Sequence, residues 1–125
     1  LYADPPYWET ELGEWAGRWG KERVVATWTN RWAWMAKAVG AFSAAIGKGD
    51  ISHSGDGDYA RHIGNAHRFT LGIRDEEGRP MWVITKERPE SRSHIDLGVS
   101  GILSWQARLD ALALGFGRER QWAVA

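Results

Sequence analysis

The sequence reads as one small α/β domain. Three observations lead there. Apolar residues recur at helical four–three–four spacing twice in the first fifty positions, a β-branched run separates the two repeats, and a second pair of β runs flanks a turn at 75–80. A length of 125 residues fits a single domain of ordinary size. A composition of 43% hydrophobic and 26% charged residues fits a chain that packs a core.

Leu1-Tyr2-Ala3 is a short apolar strand that stops at Asp4-Pro5-Pro6, because proline has no amide to extend a ladder and is at home in a first helical turn. Trp8, Leu12, Trp15 and Trp19 then mark one helix face, with Glu9, Glu11 and Glu14 off it and Gly20 as the stop. That face is expected to enter the core, and nine tryptophans suggest a core built from few, large pieces. Arg23–Trp28 is β-branched and apolar, hence a strand. Thr29 or Asn30 caps a second helix in which Met35, Val39, Phe42 and Ile46 repeat, ended by Gly47-Lys48-Gly49. Strand, helix, strand, helix in this order predicts a βαβ crossover and a mainly parallel sheet.

Residues 50–57 are turn chemistry, and Asp58 caps a short helix through Arg68. Phe69, Leu71 and Ile73 alternate, 75–80 turns, and Met81–Thr85 is a second β run, so 69–85 reads as a hairpin. A charged loop, 86–94, leads to a last helix from near Ser93 to about Leu114, with Ile95, Val99, Ile102 and Leu109 on its apolar side and Gly115 and Gly117 closing it. The domain spans 1–115, and 116–125 forms a loosely held tail.

Several function classes drop out. Sixteen basic and sixteen acidic residues cancel, so any attraction to nucleic acid or an anionic membrane must come from a local patch. The absence of cysteine excludes disulfides and cysteine zinc sites and suits a reducing compartment. The longest uncharged runs, 38–47 and 97–107, fall short of the ~20 residues that span a bilayer. There is no Gly-rich phosphate loop, GxSxG elbow or HExxH, and no signal-peptide pattern. The first residue, Leu1, already reads as strand, so the chain is expected to be the C-terminal part of something longer.

Four features bear on chemistry. Asp4 stands at a strand end, where α/β folds place ligands, and equally where a carboxylate caps a helix. Asp96, read as one turn into the last helix, either complements the helix dipole or, because its neighbour Ile95 faces the core, meets Asp4 over one spot. His53, His62, His67 and His94 offer zinc ligands, but their spacing matches no zinc motif. Seven Lys and Arg against five acids between 61 and 94 make a solvated surface, or a phosphate track if they segregate. Indole rings can stack on bases, and helical periodicity accounts least well for Trp28, Trp34 and Trp122.

Taken together, three segments resemble the C-terminal nuclease domain of the phage terminase large subunit: YADPPYWETELGEWAGRWG; the stretch from TNRWAWMAKAV through the HSGD loop to RHIGNAHR; and VITKERPESRSHIDLGVSGILSWQARLDALA. The likeness covers roughly residues 1–115. It implies an RNase H-like fold: a partial central sheet with flanking helices and a β-hairpin. It implies a metal-dependent endonuclease that cuts concatemeric double-stranded DNA, with two Mg²⁺ or Mn²⁺ ions held by three carboxylates. Asp4 matches the second carboxylate and Asp96 the third; the first lies upstream of both, so the chain alone is expected to be inactive. His94, His62, Asn65, Lys86 and Arg92, with Arg88 beside it, fall near that site or on the DNA. The implied partners are DNA, the phage portal and the small terminase subunit, with no membrane, at the packaging motor in the host cytoplasm. Two rivals are a non-catalytic interaction module of the same fold and a small α/β enzyme that uses its histidines.

Overall fold

The computed structural model describes residues 1–117. Within them the chain forms a small mixed α/β domain of four helices and two two-stranded sheets. The order is β1 (Tyr2–Ala3), α1 (Glu9–Trp19), β2 (Val25–Ala26), α2 (Trp32–Lys48), α3 (Gly57–Gly64), β3 (His67–Arg74), β4 (Pro80–Thr85) and α4 (Asp96–Ala113).

The expected crossover forms. β1 and β2 pair in parallel, Tyr2 opposite Val25 and Ala3 opposite Ala26, with α1 between them in sequence. The mainly parallel sheet does not form. The hairpin β3–β4 is antiparallel and stands as a separate sheet. It joins the core through the side chains of Leu71 and Val83 instead of by edge hydrogen bonds to β1 or β2.

One buried cluster unites the domain: Met35, Ala36, Ala38, Val39 and Phe42 of α2, Leu71 and Val83 of the hairpin, and Ile102 and Leu103 of α4. Ala38, Val39 and Ile102 are the most deeply placed. Small side chains at 36 and 38 bring α2 close to its neighbours, and the branched residues fill what remains. The tail from 118 onward lies outside the described residues.

The tryptophans depart from expectation. In α1 only Leu12 is buried; Trp8, Trp15 and Trp19 remain 41–56% exposed. The four–three–four spacing does mark one stripe, but among the elements α1 packs chiefly on the two-residue β2, too small a surface to cover three indoles. Aliphatic residues fill the core instead. Ile46, expected inside, is also exposed, and Ala45 takes the inward position.

Boundaries moved where polar side chains found other partners. Asp56, not Asp58, caps α3: its Oδ1 accepts the Tyr59 amide at 2.8 Å, while Asp58 pairs with Arg61. The helix stops at Gly64, so His67 and Arg68 belong to β3. Neither Thr29 nor Asn30 caps α2, whose N-cap position is Arg31 with no side-chain bond. Asp96 is the first residue of α4 and not one turn in. Gly20 ends α1 as expected, with φ of 100°; of the Gly47-Lys48-Gly49 stop, Gly47 and Lys48 remain helical and Gly49 ends α2 with φ of 77°, where glycine carries no Cβ penalty.

A polar tie fastens β1 to the far end of α4. The Tyr2 phenol donates to Asp110 Oδ2, and Asp110 Oδ1 accepts from Gln106 at 2.8 Å. Burial, reinforced by the Asp110 carboxylate, pushes the phenol up to about 12.

Two outcomes are expected. Ile102→Ala should cost about 3 kcal/mol in denaturant unfolding, whereas Trp19→Ala, the larger truncation, should cost less than about 1 kcal/mol. Because the Tyr2 phenol is raised in the fold, the stability it contributes should be intact below pH 10 and fall as pH rises towards 12, and Asp110→Asn, by removing part of that rise, should make the decline smaller.

Candidate functional site

Close approach of α3 to α4 builds a polar corner of the domain. It depends on two glycines in α4. A methyl group at Gly98 would stand 3.3 Å from Ile63 Cδ1, and one at Gly101 would meet the Tyr59 hydroxyl and Phe42 Cζ. With hydrogen there, α3 lies against the first turns of α4.

That approach lets two distant sequence segments cross-link. Asn65 Nδ2 donates to the His94 carbonyl at 2.9 Å. The Leu97 amide donates to His62 Nδ1 at 3.1 Å. The first amides of a helix have no intrahelical acceptor, and α4 has no side-chain cap at Ile95. His62, thirty-five positions upstream, satisfies one of these amides. Accepting through Nδ1 leaves Nε2 as the protonated nitrogen of a neutral ring. The His62 and His94 rings stack, centroids 5.9 Å apart and planes 24° from parallel. His94 Nδ1 lies 3.3 Å from Asp96 Oδ2, and the Asp96 side chain is 74% exposed.

Beside this link lies an open hollow of about 360 Å³ lined by His62, Asn65, Arg92 and His94, with Asp58, Arg61 and Ser93. Lys86 stands at the base of the same loop, just past β4, its ammonium donating to the Ser91 carbonyl at 3.4 Å. The Arg88 carbonyl accepts the Ser91 amide, which tightens the loop further. The corner thus offers two exposed carboxylates, Asp58 already paired with Arg61 and Asp96 beside His94, two imidazoles and two guanidinium groups, among them donors that hold a phosphate and groups that move protons near it.

Asp4 is placed differently. It lies just past β1 and caps no helix, since α1 begins after Trp8 with no side-chain cap. Its Oδ2 accepts the Thr29 hydroxyl at 2.6 Å and its Oδ1 the Thr29 amide at 3.3 Å. Asp4 and Asp96 share no hydrogen-bond partner, and Asp4 does not line the hollow beside His94. Of the residues named from the sequence, His62, Asn65, Arg92 and His94 come together with Asp96 attached, Lys86 braces their loop, and Asp4 is bonded at the β1–β2 end.

The sequence reading missed the partners. Thr29, one of two cap candidates for α2 in the sequence, instead meets Asp4, as a residue shortly after β2 is placed to do with one just after the parallel β1. Arg61 was not singled out, although it sits one residue before His62 on the same helix. The histidine spacing pointed to no site because its important pair, His62 and His94, is joined across the fold.

No family model, curated protein or solved structure matches the chain. The corner therefore has to be read from its own chemistry. Divalent ions such as Mg²⁺ take several oxygen ligands at once. Among the described residues no group of three or more His, Asp or Glu side chains is placed to hold a metal ion. These residues do not by themselves complete a two-ion centre.

His62→Ala should remove the acceptor for the Leu97 amide and lower stability by about 1 kcal/mol. His94→Ala should lower it by less than about 0.5 kcal/mol, because its pair with Asp96 is solvent-exposed. Chemical denaturation of both variants measures the difference.

Proposed function

We propose that the chain is part of a metal-dependent endonuclease domain of the viral terminase type, RNase H-like in fold, acting on concatemeric double-stranded DNA. One observation carries the reading. The more specific part of the resemblance, RHIGNA followed about thirty residues later by Ile95-Asp96 at a helix start, is tied together on both sides of that pair, by Asn65 to the His94 carbonyl and by the Leu97 amide to His62. Their meeting leaves His62, Asn65, Arg92 and His94 around one polar hollow, which is what the reading needs. The parallel β1–β2 pair, with Asp4 just past its end, agrees with the same reading.

In this proposal Arg61 and Arg92 take a phosphate, Asn65 and Lys86 hold the 86–95 loop in place, and His94 orients the Asp96 carboxylate. Asp96 is the exposed acid on offer to Mg²⁺ or Mn²⁺, and Asp4 is the second carboxylate. The ions would supply activated water and charge neutralisation at the scissile phosphate. The working place would be the packaging motor in the host cytoplasm, with the portal and the small terminase subunit as partners.

A second reading has its own support. Both Asp4 oxygens already accept from Thr29, which suits a structural acid in a non-catalytic module of the same fold that docks on DNA or on a packaging partner.

Calorimetric titration with Mn²⁺ separates the two. The nuclease reading expects binding heat that Asp96→Asn reduces at least tenfold in affinity with an unchanged unfolding midpoint, since Asp96 is exposed. Absence of heat from the wild-type chain, or heat indifferent to Asp96→Asn and Asp4→Asn, rejects it in favour of the docking module.

A further inference from the structure

A second hollow borders the α3–α4 contact and shares no residue with the one beside His94. Its volume is about 310 Å³, at the small end of the range for small-molecule sites. Phe42 reaches it from the buried cluster, and Ile51 packs against that cluster. Tyr59 comes from α3, Trp105 and Arg108 from α4, and His53 from the loop between α2 and α3. Gly101 leaves room for the Tyr59 hydroxyl and Phe42 beside α4, where a methyl group would meet both.

The donors of this hollow are held in place without being used up. The His53 and Tyr59 rings lie against each other, centroids 5.3 Å apart. His53 Nδ1 accepts the Gly55 amide at 3.1 Å, so Nε2 carries the proton of the neutral ring. The Arg108 guanidinium lies 4.9 Å over the Trp105 ring. Stacking on an indole fixes its plane and leaves its in-plane N–H groups available to an acceptor. Arg108 makes no ion pair among the described residues. Burial pushes the Tyr59 phenol above its ordinary value, which keeps it a neutral donor. Among the described residues no carboxylate lines the hollow. The acids close by in sequence are engaged elsewhere, Asp56 with the Tyr59 amide and Asp58 with Arg61.

We propose that this hollow binds a small planar aromatic carboxylate, its ring against Phe42, Tyr59 and Trp105 and its carboxylate on Arg108. Converging aromatic walls favour a flat ring, because ring pairs gain more than their buried area alone. One guanidinium, two neutral donors and no acid favour an anion, and the planar fork of arginine matches a carboxylate. The volume limits the ligand to roughly one or two fused rings. This site stands on its own residues and goes beyond the nuclease reading, which uses none of them.

NMR titration of the whole chain with naphthoate, with the neutral naphthalenemethanol and with acetate tests this. Naphthoate should give saturable shifts at the Trp105 indole N–H and the Gly101 amide, with a dissociation constant on the order of 1 mM for a ligand of this size. The neutral alcohol should bind more weakly and acetate should leave both signals in place. Arg108 is exposed, so Arg108→Gln should keep the unfolding midpoint. It should weaken naphthoate about fivefold and leave the alcohol unchanged, a charge-selective loss that a merely structural arginine would not give. Tyr59→Phe, which keeps the ring, should weaken naphthoate as well. No saturable shift, shifts confined to other residues, equal affinity for naphthoate and the alcohol, or naphthoate binding indifferent to both variants overturns the site. The Mn²⁺ titration of Asp96→Asn stands apart from these results, so the nuclease reading falls or survives separately.

Discussion

The packing of α2 between the hairpin and α4 is the constraint on which the rest depends. Met35, Ala36, Ala38, Val39 and Phe42 give α2 an inward face that is small at the alanines and bulkier to either side. Leu71 and Val83 meet it from the hairpin, and Ile102 and Leu103 from α4. Once α4 is docked, the positions of the other polar parts follow. Its last turns receive Tyr2 through Asp110, and its first turns receive α3 through Gly98 and Gly101. The short parallel pair and the polar corner are thus attached to opposite stretches of one buried helix.

The polar corner shows how backbone needs assemble a candidate site. Helix α4 starts without a side-chain cap, so its amides must find acceptors elsewhere. His62 provides one, and Asn65 secures the carbonyl two residues before the helix. Residues held by such obligations have fixed rings and fixed rotamers, which is what a site for phosphate or metal chemistry requires of its supporting groups. Asp96 and Arg92 stay exposed beside them and are free to meet a ligand. Asp4 is the opposite case, an acid whose oxygens are already used to bind two loops together.

The exposed tryptophans invert the usual association of indole with core. Periodicity identifies a stripe on a helix but says nothing of what lies opposite it. For α2 the opposite surface is a hairpin and a helix, and the stripe is buried. For α1 it is a two-residue strand, and Trp8, Trp15 and Trp19 remain in contact with solvent. Tyr7 goes further, since its ring is exposed at the expense of backbone strain.

The sequence by itself determined the α/β class, the kind and order of the elements, the parallel pairing of β1 with β2, the hairpin and the glycine stops. These are local matters, set by apolar period, by proline's missing amide and by glycine's freedom at positive φ. It also marked His62, Asn65, Arg92, His94 and Asp96 as residues to watch. Tertiary structure alone decided that the hairpin forms its own sheet, that aliphatic residues of α2 and α4 make the core, that Asp56 caps α3 and that Asp4 bonds Thr29. Each of those outcomes is a choice among competing partners at long sequence separation. A side chain's spacing shows which face it shares, but burial and hydrogen bonding depend on which surface comes to meet that face.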